Sequence, residues 1–131
     1  MGGTVAVDIG TSGIRAQALS GDGRPLRTCI SSRNPIPGAN VMDHMSFAID
    51  YGEGLAHSLL IDAVHSLCTE LRVPSPDRIA VCGNPIQLSL FEGIGIKDLA
   101  YAGENKLRSE KVEPIERRGH IADGERFGFP G

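Results

Sequence analysis

The chain has little of what nucleic-acid and membrane proteins need. It has no tryptophan, and its four phenylalanines and two tyrosines offer few rings on which bases could stack. Its 13 basic and 16 acidic residues give a formal net charge of −3, so no positive field attracts a polyanion. No apolar run has the length of a bilayer span, and no basic leader opens the chain. We therefore expect a cytoplasmic protein that binds neither nucleic acid nor membranes.

Cysteine is scarce too, with three residues at isolated positions, Cys29, Cys68 and Cys82. An odd number without C-x-x-C spacing favours neither a disulfide framework nor a four-cysteine metal site. We expect reduced thiols, with Cys82 packed as a small apolar residue at the end of a strand. Because an iron–sulfur cluster needs clustered cysteines, no such cluster is expected in this chain.

The most informative segment is VAVDIGTSGIR at residues 5–15. It predicts a β-hairpin in which a buried apolar strand ends at Asp8 and turns through Gly10, Thr11 and Ser12. Backbone N–H groups and hydroxyls in such a turn suit a phosphate, and the carboxylate suits a metal ion or a water molecule. The segment therefore indicates nucleoside triphosphate chemistry, with an ordinary hairpin turn as the alternative.

Apolar spacing and turn residues predict the order βββ-α-β-α. Strands are expected over residues 4–9, 14–19, 25–32 and 78–82, and helices over residues 40–49 and 55–71 and from Pro85 onwards. This order predicts an α/β fold in which helices cover a mixed sheet, and it is the order of the ribonuclease-H-like half of an actin-type ATPase. No apolar period continues beyond Leu107, so we expect a lobe over residues 1–107 and an irregular or disordered tail over residues 108–131.

Four segments together resemble one family. The segment DIGTS at residues 8–12 resembles carbohydrate kinases equally well, but three further segments separate the two families. These are NPIPGANVMDHM at residues 34–45, AVCGNPIQLSLF at residues 80–91 and DLAYAG at residues 98–103. They resemble the reductive activators of corrinoid proteins, and most of all the methylamine-methyltransferase activators of methanogens. The resemblance covers about residues 3–107, which corresponds to the first lobe of the family's actin-like ATPase region.

The resemblance implies cofactors and site residues. In this family an iron–sulfur region passes an electron to an inactive cobalt(II) corrinoid, and ATP hydrolysis by the actin-like region drives the reduction. ATP and magnesium are therefore the implied cofactors. Asp8 would be the catalytic carboxylate, which holds magnesium through water or orients the attacking water. The residues that would grip the phosphates are Gly10, Thr11, Ser12 and Gly13.

Two further residues are candidates for contact with the nucleotide. Arg15 on the second strand would either reach a phosphate or point to solvent, and Asn84 would either face the nucleotide cleft or cap a turn. Three histidines carry weaker signals. His44 would mark a partner-facing surface or a plain helix surface, whereas His57 and His65 share a helix face and are expected to be solvated rather than to bind zinc.

The chain also departs from the family pattern. With no iron–sulfur centre and no second ATPase lobe, we expect the nucleotide-binding lobe of an ATP-dependent activator that is incomplete and inactive alone, as a fragment or split form. A corrinoid protein and a second chain with the missing regions are the implied partners. The alternatives are a docking or homo-oligomerising module that uses residues 42–47 and 85–91, and a fragment of a carbohydrate kinase.

Overall fold

A five-stranded mixed sheet forms the centre of the computed structural model, which describes residues 3–100 and 121–123. The strands are β1 (Thr4–Ile9), β2 (Gly13–Leu19), β3 (Ile30–Arg33), β4 (Arg78–Gly83) and β5 (Ile121–Asp123). The helices are α1 (Val41–Tyr51), α2 (Glu53–Glu70), α3 (Pro85–Glu92) and α4 (Lys97–Ala100). The predicted α/β class and mixed sheet are confirmed.

The strands lie in the order β3-β2-β1-β4-β5. The first three strands form an antiparallel meander, and β4 pairs parallel to β1 in the register that places Ile9 opposite Gly83. The carboxyl ends of β1 and β4 therefore lie side by side. The β1–β2 turn, which follows Ile9, and the start of α3, which follows Gly83, are neighbours at this edge of the sheet.

Asparagine side chains cap the starts of α1 and α3, whereas α2 begins at a glycine. The Asn40 side chain accepts from the Asp43 N–H at the start of α1, as the sequence predicted. Gly52 separates α1 from α2 at a φ of +123°, a conformation that favours glycine. At α3 the Asn84 side chain caps the helix and Pro85 occupies the first turn, where a missing N–H costs nothing. None of the helices in the described residues combines the length and hydropathy that a bilayer span requires.

The core lies on one face of the sheet. Along β1 the side chains of Val5, Val7 and Ile9 are buried and belong to one cluster with Leu60 and Val64 of α2. Because side chains alternate along a strand, the residues between them face the other way. Within the described residues no helix covers that other face, so the expected covering by helices is confirmed on one side only.

One strand is much shorter than predicted, and one strand was not predicted. The third strand is limited to Ile30–Arg33 instead of residues 25–32, and Pro25 contributes only an isolated bridge to Leu19. The expected irregular tail contains a strand, because Ile121–Asp123 pairs antiparallel to β4 and so supplies partners for the edge of that strand. Main-chain pairing of this kind needs no apolar period. Positions 108–120 and 124–131 of the predicted tail lie outside the described residues.

Replacement of Gly83 by alanine should destabilise the sheet. Gly83 has a φ of +157°, and a Cβ atom there would lie 2.5 Å from the carbonyl oxygen of Ile9. We expect Gly83→Ala to lower the free energy of unfolding by about 1–3 kcal/mol, because backbone must move or strain must be stored. Urea denaturation measures the loss. Gly54→Ala is the control, because a Cβ atom at Gly54 would meet nothing within 4 Å. Equal urea midpoints for Gly83→Ala and Gly54→Ala would contradict the close approach of Gly83 to Ile9.

Candidate functional site

The β1–β2 turn is tight and depends on glycine. The Gly10 N–H donates to the carbonyl oxygen of Gly13 at 2.8 Å, which closes the turn. A Cβ atom at Gly10 would lie 3.0 Å from that oxygen, and one at Gly13 would lie 3.1 Å from the carbonyl oxygen of Ser32. Thr11 and Ser12 form the tip, with Ser12 exposed. The predicted hairpin is therefore confirmed, and its glycines serve close backbone packing.

Asp8 and Arg15 lie on the face of the sheet that the described helices leave open. Asp8 pairs with Arg15 of β2 on one side and with Cys82 of β4 on the other, so the three side chains share this face. All three are exposed. Together with Gln17 and Cys29 they line a cavity of about 570 Å³. The expectation of a buried strand end is therefore wrong for Asp8, because alternation directs it away from the core.

The charges of Asp8 and Arg15 are not neutralised by each other. Within residues 3–100 and 121–123, the salt bridge that forms is the exposed pair Arg24–Asp22, at 3.3 Å. Of the two predicted orientations of Arg15, the structure places its side chain on the open face beside Asp8. The open face thus presents a cation and an anion side by side, with Asp8 hydrogen-bonded to the Cys82 thiol.

Asn84 joins the turn to α3. Its Oδ1 accepts from the Gln87 N–H at 3.0 Å, and its Nδ2 donates to Thr11 Oγ1 at 3.4 Å. The capping role that the sequence left open is therefore observed, and the same side chain touches the turn. The structure thus brings Asn84, the residues of the turn and Asp8 to one edge of the sheet.

A chain of polar side chains, two of them buried and one half-buried, supports this edge, and the sequence did not predict it. We call Asn34, Gln87 and His44 the amide–imidazole chain. Asn34 Nδ2 donates to the carbonyl oxygen of Gly10 and to Gln87 Oε1, both at 2.9 Å. Gln87 Nε2 and His44 Nδ1 are 2.8 Å apart, and His44 Nε2 lies 3.3 Å from the carbonyl oxygen of Gly38. The chain therefore links the β1–β2 turn to α3 and α1.

Chemistry fixes the direction of each bond in this chain. The carbonyl oxygen of Gly38 only accepts, so His44 carries its hydrogen on Nε2 and accepts from Gln87 through Nδ1. His44 and Gln87 are both 0% exposed. Both predicted surface positions for His44 are therefore wrong. His44 follows Val41 by three residues and precedes Ala48 by four, a spacing that places it on the inner face of α1.

Two other sequence predictions also need correction. Cys82 is exposed beside Asp8 instead of packed in the core, because it lies on the open face of β4. His57 is not solvated, since it is partly buried and its Nδ1 lies 3.0 Å from the carbonyl oxygen of Leu90. Among the described residues, no three His, Cys, Asp or Glu side chains form a cluster that could hold a metal ion. Among the residues that line the cavity, Asp8 is the carboxylate.

The thiols of Cys82 and Cys68 have raised pKa values for different reasons. Partial burial raises the pKa of Cys82, and the negative charge of Asp8 and its hydrogen bond with the thiol raise it further. Burial alone raises the pKa of Cys68 to about 11. The pKa of Cys82 therefore depends on the charge of Asp8.

Alkylation of Cys82 should therefore respond to Asp8. We expect Asp8→Asn to lower the pKa of Cys82, because the thiolate then meets no carboxylate, so iodoacetamide should label it at a lower pH. Burial remains, so the pKa should stay above that of a free thiol. Peptide mass mapping across a pH series measures the shift. The control is Asp62→Asn, at an exposed position of α2. Identical profiles for Asp8→Asn and the unmodified chain would contradict the contact.

Known proteins resemble this chain over most of its length, although no protein-family model matches it. The Co(II) methylated amine-specific corrinoid protein reductase of Methanosarcina barkeri is 43% identical over 120 residues. That match covers 89% of this chain but 22% of the curated relative, so the chain spans about a fifth of that protein.

A solved structure gives the same relationship at the level of the fold. A reductive activator for corrinoid, iron–sulfur protein superposes with a TM-score of 0.56, at 21% identity, over 86% of this chain and 18% of its own. At that identity the superposition shows the fold alone. In sequence, the chain is therefore similar to a reductive activator of corrinoid proteins, the family that its motifs resemble.

Proposed function

We propose that the chain is the nucleotide-binding lobe of an ATP-dependent reductive activator of a corrinoid protein. The observation that carries the proposal is the meeting of the β1–β2 turn, Asp8 and Asn84 at one edge of the sheet. Ligands of α/β proteins bind at the carboxyl ends of strands, which is where this meeting occurs. The relative from Methanosarcina barkeri supports the corrinoid protein as the target over a carbohydrate.

The turn offers hydrogen-bond donors for phosphate oxygens. Within the described residues, the N–H groups of Thr11 and Ser12 meet no protein acceptor. We propose that these groups and the two hydroxyls bind the β- and γ-phosphates of ATP. The Gly10 N–H is already used by Gly13. Gly10 and Gly13 therefore contribute the shape of the turn, which brings backbone close to the phosphates.

Asp8 suits a magnesium ion that keeps its water. Magnesium usually binds one or two carboxylates together with phosphate oxygens and several waters, so a single carboxylate is enough. When bound, the ion would neutralise charge on the phosphates. Asp8 would hold it through water or orient the water that attacks the γ-phosphate. Arg15, on the same face, would add positive charge.

The finer fold assignment belongs to the same proposal. We assign the lobe to the ribonuclease-H-like, actin-type ATPase folds, with support from the β3-β2-β1-β4 order and the parallel pairing of β1 with β4. We propose that the described residues form one such lobe. The chain spans 22% of its curated relative. We propose that the second lobe and the iron–sulfur region are supplied by further polypeptide, and that this chain alone does not complete the reaction.

Binding of Mg–ATP tests the proposal. Isothermal titration should detect Mg–ATP binding by the 131-residue chain, alone or with the complementary lobe of the relative. Asp8→Asn should weaken it at least tenfold, about 1.4 kcal/mol, and the difference should vanish without magnesium. Asp50→Asn, at an exposed position of α1, is the matched control. The proposal would be overturned if Mg–ATP bound neither the chain alone nor the chain with the complementary lobe. Equal affinities of Asp8→Asn and Asp50→Asn for Mg–ATP would also overturn it.

A docking module is the second candidate, because apolar side chains remain exposed on α1. Met42 is 64% and Tyr51 is 73% exposed. The predicted contribution of residues 85–91 is less favourable, since Ile86, Leu90 and Phe91 are buried in the core. The uncovered face of the sheet is a further surface for a partner.

Self-association tests the docking candidate. Multi-angle light scattering after size exclusion should show a dimer whose fraction increases with protein concentration, because exposed apolar area favours association. Met42→Gln combined with Tyr51→Ser should reduce it, whereas Thr69→Ala, at an exposed position of α2, should not. A monomer at every concentration would count against self-association through this surface.

A further inference from the structure

We propose that Asn34, Gln87 and His44 are positioning residues that aim the N–H of Thr11 at the bound phosphates. This inference rests on the proposed phosphate site and deepens it. The sequence assigned none of the three side chains to the phosphate site. The argument starts from the carbonyl oxygen of Gly10, which accepts a hydrogen bond from Asn34 Nδ2 at 2.9 Å.

The peptide plane transmits this contact to the other side of the turn. The carbonyl of Gly10 and the N–H of Thr11 belong to one planar, trans peptide group, so they point in opposite directions. Asn34 holds the carbonyl towards the protein interior. The Thr11 N–H is therefore turned away from Asn34, and it meets no acceptor among the described residues. A donor that is fixed in this way needs no rearrangement when an anion arrives.

Asn34 is itself held in one orientation. Its Oδ1 accepts from the N–H of Ile36 at 2.9 Å, and its own N–H lies 3.4 Å from the carbonyl oxygen of Ser12. Its Nδ2 serves both Gly10 and Gln87 Oε1. A flipped amide would set Oδ1 against two acceptor oxygens and would also lose the bond to Ile36. Asn34 thus contacts the turn at two carbonyl groups.

His44 sets the direction of the hydrogen bonds throughout the amide–imidazole chain. With its hydrogen on Nε2, bonded to Gly38, His44 presents only an acceptor to Gln87. Gln87 must then direct Nε2 to His44 and Oε1 to Asn34, which in turn requires a donor from Asn34. In the described residues no buried side-chain nitrogen or oxygen lacks a partner. A fully bonded buried chain is rigid, because breaking one bond leaves two buried groups unpaired.

Two variants remove hydrogen bonds at different points of the amide–imidazole chain. Asn34→Asp keeps the size of the side chain and the acceptor for Ile36 but removes the donor to Gly10 and Gln87. Gln87→Met keeps the length of the side chain and removes both of its bonds. The matched control is Thr69→Val, because Thr69 Oγ1 also donates to a carbonyl oxygen, that of His65, but at an exposed position of α2 outside the candidate site.

The first readout needs no nucleotide. In ¹H–¹⁵N spectra of the full chain, Asn34→Asp and Gln87→Met should shift or broaden the Thr11 amide resonance, and Thr69→Val should leave it in place. Long-range ¹H–¹⁵N spectra of the unmodified chain should show His44 with its hydrogen on Nε2. A His44 ring with its hydrogen on Nδ1, or an unmoved Thr11 resonance in both folded variants, would overturn the inference. The tautomer measurement decides even where a variant fails to fold.

The second readout separates this inference from the proposed function. Mg–ATP affinity should fall at least tenfold in both interrupting variants and stay within twofold in Thr69→Val. Unchanged affinity beside a displaced Thr11 resonance would overturn the positioning role. If the unmodified chain and its complement bind no Mg–ATP, the proposed function fails, and with it the phosphate target. The spectra of the ligand-free variants would still decide whether the amide–imidazole chain fixes the conformation of the β1–β2 turn.

Discussion

The close approach of Gly83 to the carbonyl oxygen of Ile9 is the constraint on which the candidate site depends. No side chain fits between β4 and β1 at this point, since a Cβ atom would lie 2.5 Å from that oxygen. The approach sets the start of α3 against the β1–β2 turn. Asn84 then reaches Thr11, and Gln87, one turn further along α3, reaches Asn34. The site is thus assembled by backbone contact first and by polar side chains second.

Local signals in the sequence predicted much of the fold. β1, the Asn40 cap and the Pro85 start of α3 were predicted correctly, because each depends on neighbouring residues. The burial of His44 and Gln87 was missed, although Gln87 precedes Phe91 by four residues on one helix face. Their polar identity argued for the surface, and only tertiary partners make burial of such groups possible. β5 was missed because main-chain pairing with β4 leaves no apolar period to detect.

The candidate site shows a similar division. Alternation along the strands relates Asp8 to Arg15, but it does not say which face of the sheet the helices cover. Asp8 and Cys82 were therefore assigned to the wrong environment, although the motif that contains Asp8 was recognised. The open face gives the proposed lobe a surface on which further polypeptide can pack. The cavity on this face has a largely apolar lining that includes Asp8 and Arg15, so a partner packed there would also cover Asp8 of the proposed phosphate site.

The central claim is that the turn and Asp8 bind the terminal phosphates of ATP together with a divalent ion. Paramagnetic broadening by Mn²⁺–ATP locates that ion directly, because the effect falls steeply with distance. The account predicts selective loss of the amide resonances of Asp8, Thr11, Ser12 and Asn84 in ¹H–¹⁵N spectra, while those of α2 persist. Broadening centred on α2 or spread evenly over the chain would contradict it.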